Sequence, residues 1–291
     1  MKKAIVFLCL ALFLAACSGA TGEGKDEQKN NQTQEEQNSD EMKNASDEEQ
    51  GKEESTDHQE TINQNEDDTE EETNESTQPE VQEPQYELTG NWSLKPISDA
   101  NPEVVLLTID DAPDNHGVEM AETLQELNAP AIFFVNGHFI DTPEGEEELK
   151  QIYDMGFAIG NHTETHASLP DLTKEGQREE IVGLSDKIEK IIGERPKFFR
   201  APFGQNTDFS KELVQKENML LMNWTYGYDW NKEYMKADSL ADIMVNTELL
   251  SNGANLLMHD REWTAEALPD IVKGLKDKGY DLLDPALIQT P

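Results

Sequence analysis

Residues 104–113 read Val-Val-Leu-Leu-Thr-Ile-Asp-Asp-Ala-Pro, an almost unbroken apolar run that ends in two carboxylates and a proline. A short run without polar alternation describes a strand buried on both faces, as in a parallel sheet covered by helices. Similar runs recur at 131–135, 157–160, 197–199, 219–223, 255–258 and 280–283. Between them lie stretches of helical period at 118–127, 144–155, 174–192, 208–217, 238–251 and 264–278. The clearest is 174–192, where Ile181, Leu184, Ile188 and Ile191 share one stripe and Thr173 can cap the start. About seven strands alternating with helices predict an α/β fold, a distorted parallel (β/α) barrel that is closed or nearly closed.

Outside this region the composition changes. The chain has 291 residues, with 23 Lys and Arg against 61 Asp and Glu, a formal net charge of −38. Residues 18–85 carry −19 of that charge and residues 86–291 carry −21. Residues 18–85 contain no Phe, Trp or Tyr, and their only apolar residues are Ala20, Met42, Ala45, Ile62 and Val81. Such a segment cannot bury enough surface to offset its ordering entropy, so residues 17–85 are expected to be a disordered acidic linker. A flexible coil of this length spans roughly 45 Å root-mean-square. Globular composition resumes at Tyr86, and about 200 residues suit one domain, 86–291. The negative charge argues against nucleic acid and against anionic lipid headgroups as partners, since both need a basic footprint.

At the N-terminus, Met1-Lys2-Lys3 precedes an apolar run from Ala4 to Phe13, too short for a comfortable membrane span. Leu14-Ala15-Ala16-Cys17 follows and resembles the lipobox of bacterial lipoproteins. That resemblance implies a signal peptide over 1–16 and a lipidated Cys17. The plainer alternative is a secretory signal whose cleavage site falls beside a Cys. Cys9 lies inside the apolar run, so the mature chain would keep Cys17 alone, which excludes an internal disulfide.

The chemically unusual residues follow the apolar runs. Asp110-Asp111 closes the first, Asn161-His162-Thr163-Glu164-Thr165-His166 the third, and Arg200-Ala201-Pro202-Phe203-Gly204 the fourth. Asp229-Trp230 comes after the fifth, and His259-Asp260 ends the sixth. In a parallel barrel these ends share one rim, where such folds keep their active sites. His162 and His166, four apart, can face one way and hold one metal ion, although an isolated pair with this spacing is more often two exposed His on a loop. Two adjacent acids behind a buried run repel each other unless a cation relieves them; the plainer reading is a charged turn. Two His and one carboxylate with an open position suit hydrolytic zinc, and the same set occurs with non-haem iron. A second Asp placed as proton acceptor favours water activation.

The ordered set TIDDAP, HTETH, RAPFG, YDW and LLMHD resembles the five motifs of polysaccharide deacetylases, the NodB-homology group of carbohydrate esterase family 4, over residues 100–290. The resemblance implies metal-dependent removal of N-acetyl groups from glycans. It assigns the metal to Asp111, His162 and His166, with zinc first and cobalt, manganese or nickel as further candidates. It makes Asp110 the general base, with Arg200 pairing and orienting it. A backbone N–H near Phe203 would help hold the oxyanion. His259 would protonate the departing amine, with Asp229 keeping its imidazole cationic, and Trp230 and Leu257 would wall the acetyl methyl. For Trp230 and Leu257, ordinary core packing is the alternative. Two departures stand out: Ala112 where the family usually has Gly, and Ala201-Pro202-Phe203-Gly204 where it usually has Pro-Pro-Tyr-Gly. Both are expected to bear on pocket shape rather than competence. His116 and His138 are expected on rim-facing loops with no assigned role.

The leading expectation is therefore a lipid-anchored deacetylase on the outer face of a bacterial cell membrane, acting on peptidoglycan within the tether's reach. An O-acetyl esterase, or a deacetylase of another surface polysaccharide, is the second reading. A degenerate glycan-binding module is the reading from a different class. A complete single-chain site makes a monomer adequate.

Overall fold

The structure is a computed structural model that describes residues 83–291. The signal peptide expected at 1–16, Cys17 and nearly all of the linker expected at 17–85 lie outside the described residues.

Seven parallel strands curl into a nearly closed barrel. They are β3 (Val104–Ala112), β4 (Ala131–Val135), β5 (Ala158–Asn161), β6 (Phe198–Phe199), β7 (Leu220–Leu221), β8 (Ala254–His259) and β9 (Asp281–Leu282). Their order is β7-β6-β5-β4-β3-β8, with β9 pairing the first residues of β3. The open seam between β7 and β8 is bridged by an irregular segment, in which Thr225 N–H donates to Asn255 O and Leu257 N–H to Tyr226 O. Each expected run contains or overlaps a strand. The run expected at 219–223 shortens to two residues, because Asn223 turns its carbonyl to Arg200 instead of a ladder.

Side-chain alternation along β3 builds both layers. Val105, Leu107 and Ile109 face outward into the large core beneath the helices. Val104 and Leu106 face inward, where they pack with Ile132, Phe134, Phe198 and Met222. Thr108 and Asp110 continue that inward row toward the rim. Gly160 on β5 lies against the Phe134 ring, which a Cβ at that position would strike.

An antiparallel hairpin, β1 (Tyr86–Leu88) and β2 (Leu94–Pro96), joins the inner cluster through Tyr86 and Leu94. Its three-residue strands fell below any apolar run visible in the sequence. Leu94 N–H donates to Gly253 O, and Gly253, at φ +75°, sits where any side chain would collide with Leu94 O.

Six helical stretches follow the expected positions: α1 (Gly117–Glu126), α2 (Pro143–Asp154), α3 (Lys174–Arg178) continuing into α4 (Leu184–Ile192), α5 (Asp208–Lys216), α6 (Ala237–Asn246) and α7 (Glu262–Asp277). Thr173 caps α3 by accepting from Gly176 N–H, as expected. Between α3 and α4 one π-helical turn, Glu179–Gly183, widens the helix. Helix α6 ends five residues before the expected 251. Thr247 is extended there and its hydroxyl pairs with Tyr228, leaving Leu249 exposed rather than on a helical stripe.

Candidate active site

A cavity of about 520 Å³ opens at the C-terminal ends of the strands. Asp110, Asp111, His162, His166, Phe203, Asp229, Trp230, Leu257 and His259 all line it. Arg200 lies behind the wall, fully buried. His116 and His138 do not line it: the first precedes α1, and the second packs on Phe139. Ala112 and Ala201 do not line it either. Both are buried in apolar clusters with their methyl groups in the core, whereas Phe203, the other residue that departs from the family pattern, does line the cavity.

Adjacent residues on a regular strand face opposite sides, so Asp110 and Asp111 could not both reach one cavity from an ideal β3. The ladder with β4 shifts register here: three steps from Ile109 to Ala112 oppose two from Phe133 to Val135. Asp111 adopts φ +60° within this bulge. The extra residue turns its carboxylate to the same side as Asp110, a common use of bulges beside functional sites.

Arg200 Nη1 donates to Asp110 Oδ1 at 2.6 Å and to the Thr108 hydroxyl at 2.8 Å. Its other nitrogen reaches Asn223 O at 3.0 Å, and the guanidinium lies 4.3 Å from the Phe134 ring centre. This fixes Asp110 by one oxygen and leaves Oδ2 toward His162 Nε2, 3.5 Å away.

His162 donates from Nδ1 to Arg200 O at 2.7 Å, which fixes its tautomer and leaves the Nε2 lone pair facing the cavity. Asp111 Oδ1 is buried without a hydrogen-bond partner. It faces His162 Nε2 at 3.8 Å and His166 Nε2 at 3.5 Å. An orphaned carboxylate oxygen opposite two imidazole nitrogens is an arrangement that a cation completes, so the residues fit a divalent metal. Among the described residues, Asp111, His162 and His166 bring their ligand atoms within 4.8 Å of one another. Burial pushes the Asp111 carboxyl up, yet His162, His259, His166 and Arg261 together hold it below the usual carboxylate range. Burial, then His162, push the His166 imidazole down, toward the neutral form that ligates metals.

The loop between the two His is held from the π turn. Glu180 accepts from Thr165 N–H at 2.8 Å and from the Thr165 hydroxyl at 2.6 Å. On the far side, His259 Nδ1 pairs with Asp229 Oδ1 at 2.8 Å, while Asp229 Oδ2 accepts from His259 N–H and the Thr264 hydroxyl. Burial lowers the His259 pKa, but the bond to Asp229 and its charge, with the charges of Asp110 and Asp111, outweigh that and raise it above the usual imidazole value. Trp230 stands edge-on to His259 and is 44% exposed; Phe203 stands edge-on to His166 and is 62% exposed. Leu257 is buried in the wall. The turn at Phe203 closes through Gly204 N–H to Ala201 O and Gln205 N–H to Pro202 O, which leaves the Phe203 amide outside these bonds.

Sequence reasoning missed the cavity-lining Trp224, Met235 and Trp263, and three residues that hold the site's side chains. Glu180 is an acid beside Ile181 on a buried stripe, and that position was its available signal. Arg261 directly follows His259-Asp260 and donates to Asp111 Oδ2 at 2.7 Å. Thr264, in the first turn of α7, donates its hydroxyl to Asp229 Oδ2 and orients it.

Three converging ligand groups, a carboxylate–guanidinium pair and a carboxylate–imidazole pair around one rim cavity define an α/β barrel built about a candidate metal site. The chain belongs to the polysaccharide deacetylase family. The family model "Polysaccharide deacetylase" matches residues 98–222. A peptidoglycan-N-acetylglucosamine deacetylase of Bacillus cereus is 32% identical over 192 residues, covering 62% of this chain and 68% of that one. The solved peptidoglycan deacetylase PdaC from Bacillus subtilis is 28% identical, with TM-score 0.58 over 64% of this chain and 91% of that one. BA3943, a CE4 family pseudoenzyme from Bacillus anthracis, is 27% identical, with TM-score 0.57 over 65% of this chain and 67% of that one. Across three curated relatives the chain spans 58%, 70% and 68% of their own length.

Proposed function

We propose that this chain hydrolyses N-acetyl groups from the amino sugars of peptidoglycan. The observation that carries the reading is the cavity itself, where the base pair, the acid pair and the three ligand groups converge. Water and the acetamide would give acetate and an ammonium sugar. A divalent ion held by Asp111, His162 and His166, zinc being the first candidate, would supply Lewis acidity at the acetamide carbonyl and acidify the attacking water. Asp110, its Oδ1 fixed by Arg200, takes the proton from that water through Oδ2. The Phe203 amide is the donor assigned to the developing oxyanion. His259, kept cationic by Asp229, delivers a proton to the departing nitrogen. Trp230 and Leu257 exclude water around the methyl group.

Likeness to a pseudoenzyme keeps a second reading in view, a non-catalytic glycan-binding module. The complete set Asp110, Asp111, His162, His166, Arg200, Asp229 and His259 counts against it. Acetate release should be measured from peptidoglycan, chitooligosaccharide and acetylated xylan with added zinc, beside His162→Ala. Release from the N-acetylated glycans, lost in His162→Ala, is the expected result. Release from xylan alone favours an O-acetyl esterase, and binding without release favours the binding module.

The same reading places the domain outside the membrane, tethered through lipidated Cys17. Metabolic labelling with a fatty acid should tag the wild type and not Cys17→Ser. Equal labelling of the two overturns the anchor.

A further inference from the structure

Among the described residues, Arg261 is the one cation in the cavity wall that the proposed chemistry leaves without a role. It follows β8 at the start of α7, in extended conformation at φ −145°. Its guanidinium is held by the ends of two strands at once. Nη1 donates to Asp260 O at 2.7 Å and reaches Asp114 Oδ2 at 3.5 Å. Nη2 donates to Asp111 Oδ2 at 2.7 Å. Asp260 supports the same junction, because its carboxylate accepts from Asp114 N–H and His116 N–H, both at 2.7 Å. The loop that carries Asp111 out of its bulge is therefore pinned to the end of β8 by backbone and side chain together.

The two Asp111 oxygens are thereby divided. Oδ2 is occupied by Arg261, while Oδ1 is buried, unpartnered and directed at the two imidazoles. Rotation of the carboxylate would break a charge-assisted bond that is roughly twice as strong as a neutral one. We propose that Arg261 is a positioning residue for the metal site: it holds Asp111 so that one oxygen alone faces the cation. This inference rests on the metal reading of Asp111, His162 and His166. A single-oxygen carboxylate suits zinc with an open position, whereas larger cations accept both oxygens of one carboxylate. Partners of ligating groups outside the coordination sphere commonly alter affinity by about 10- to 100-fold.

The opposite role is physically coherent too. A guanidinium beside a metal ligand could compete with the metal for its charge. The two roles differ in sign, and that decides the test. Zinc dissociation constants should be measured on the full chain by chelator competition, for wild type, Arg261→Met and Arg261→Lys, with visible spectra of the Co²⁺-loaded proteins. The expected result is about 10- to 100-fold weaker zinc binding in Arg261→Met. Arg261→Lys should fall between, since an ammonium keeps the charge without the planar fork. The Co²⁺ bands of Arg261→Met should change intensity as the freed oxygen alters the coordination. Unchanged affinity and unchanged Co²⁺ bands overturn the role, and tighter zinc binding overturns it in favour of competition. If Arg261→Met fails to fold, Arg261→Lys carries the comparison, and a Lys variant matching wild type in both measurements overturns the role. A wild type that binds no zinc overturns the metal reading itself, and the Arg261 role with it.

Discussion

Asp110→Asn should lower kcat/KM on N-acetylated chitooligosaccharide by about 10² to 10⁴, the usual contribution of a positioned general base. Asn is isosteric and can still accept from Arg200 Nη1, but it cannot take a proton from water. The substitution has a second consequence that the geometry makes unavoidable. Arg200 is fully buried, and Asp110 is the carboxylate paired with its guanidinium. The Thr108 hydroxyl, two oxygens from Asn223 and Asn255, and the Phe134 ring remain as neutral partners. Removing one member of a buried pair costs about 3–5 kcal/mol. A retained neutral acceptor places Asn near the lower end, about 3 kcal/mol, or roughly 6–12 °C in Tm for a domain of this size. Activity should therefore be measured well below the variant's Tm, with folding followed by circular dichroism. Zinc affinity should stay near wild type, because Asp110 is not among the three ligand groups. Full activity in a folded Asp110→Asn protein would remove it from the role of base. A large loss of zinc affinity would show that both adjacent acids bind the metal.

The sequence carried the barrel and most of the site because both rest on local signals. Short, wholly apolar runs mark strands covered on both faces, and each polar motif follows such a run. What it could not carry depends on tertiary geometry. Whether Asp110 and Asp111 share a face is decided by one extra residue in a ladder, and nothing in the string DDAP announces a bulge. The β1–β2 hairpin is too short for periodicity to register. Helix α6 stops early because Tyr228, some twenty residues upstream, offers Thr247 a hydroxyl. Glu180 was hidden inside a helix legible only by its apolar stripe, yet it is the π turn that brings the carboxylate under Thr165. Arg261 was hidden by its neighbours, since His259 and Asp260 were sufficient to mark the strand end. Of the departures from the family pattern, Phe203 reaches the cavity wall but Ala112 and Ala201 do not. Both alanines sit inside motifs that line the pocket, but alternation and the turn at Pro202 send their methyl groups into the core.

Asp229→Asn should move the alkaline limb of the kcat/KM profile to lower pH and reduce activity at neutral pH by about 10² to 10⁴. His259 acts as an acid only while protonated, so activity falls as pH rises through its folded-state pKa. In the wild type that pKa is raised: burial opposes the charge, and the bond and charge of Asp229, helped by the charges of Asp110 and Asp111, outweigh burial. The falling limb therefore lies above the ordinary imidazole value of about 6.5. In the Asn variant the amide oxygen can replace Oδ2 as acceptor for His259 N–H and the Thr264 hydroxyl. The amide nitrogen then faces His259 Nδ1 as a donor, where the carboxylate accepted. A donor at that position favours neutral imidazole with its proton on Nε2, a poor acid, and burial lowers the pKa unopposed by Asp229. Stability should follow the same sign. A raised folded-state pKa contributes stability that is fully present below the unfolded value near 6.5 and is lost as pH rises through the folded value. Between those two values the wild type should lose stability with rising pH, and Asp229→Asn should lack that slope. Rate profiles and Tm measured across the same pH series read both effects. Retained activity with an alkaline limb at its wild-type position would transfer the acid's role from His259 to another group.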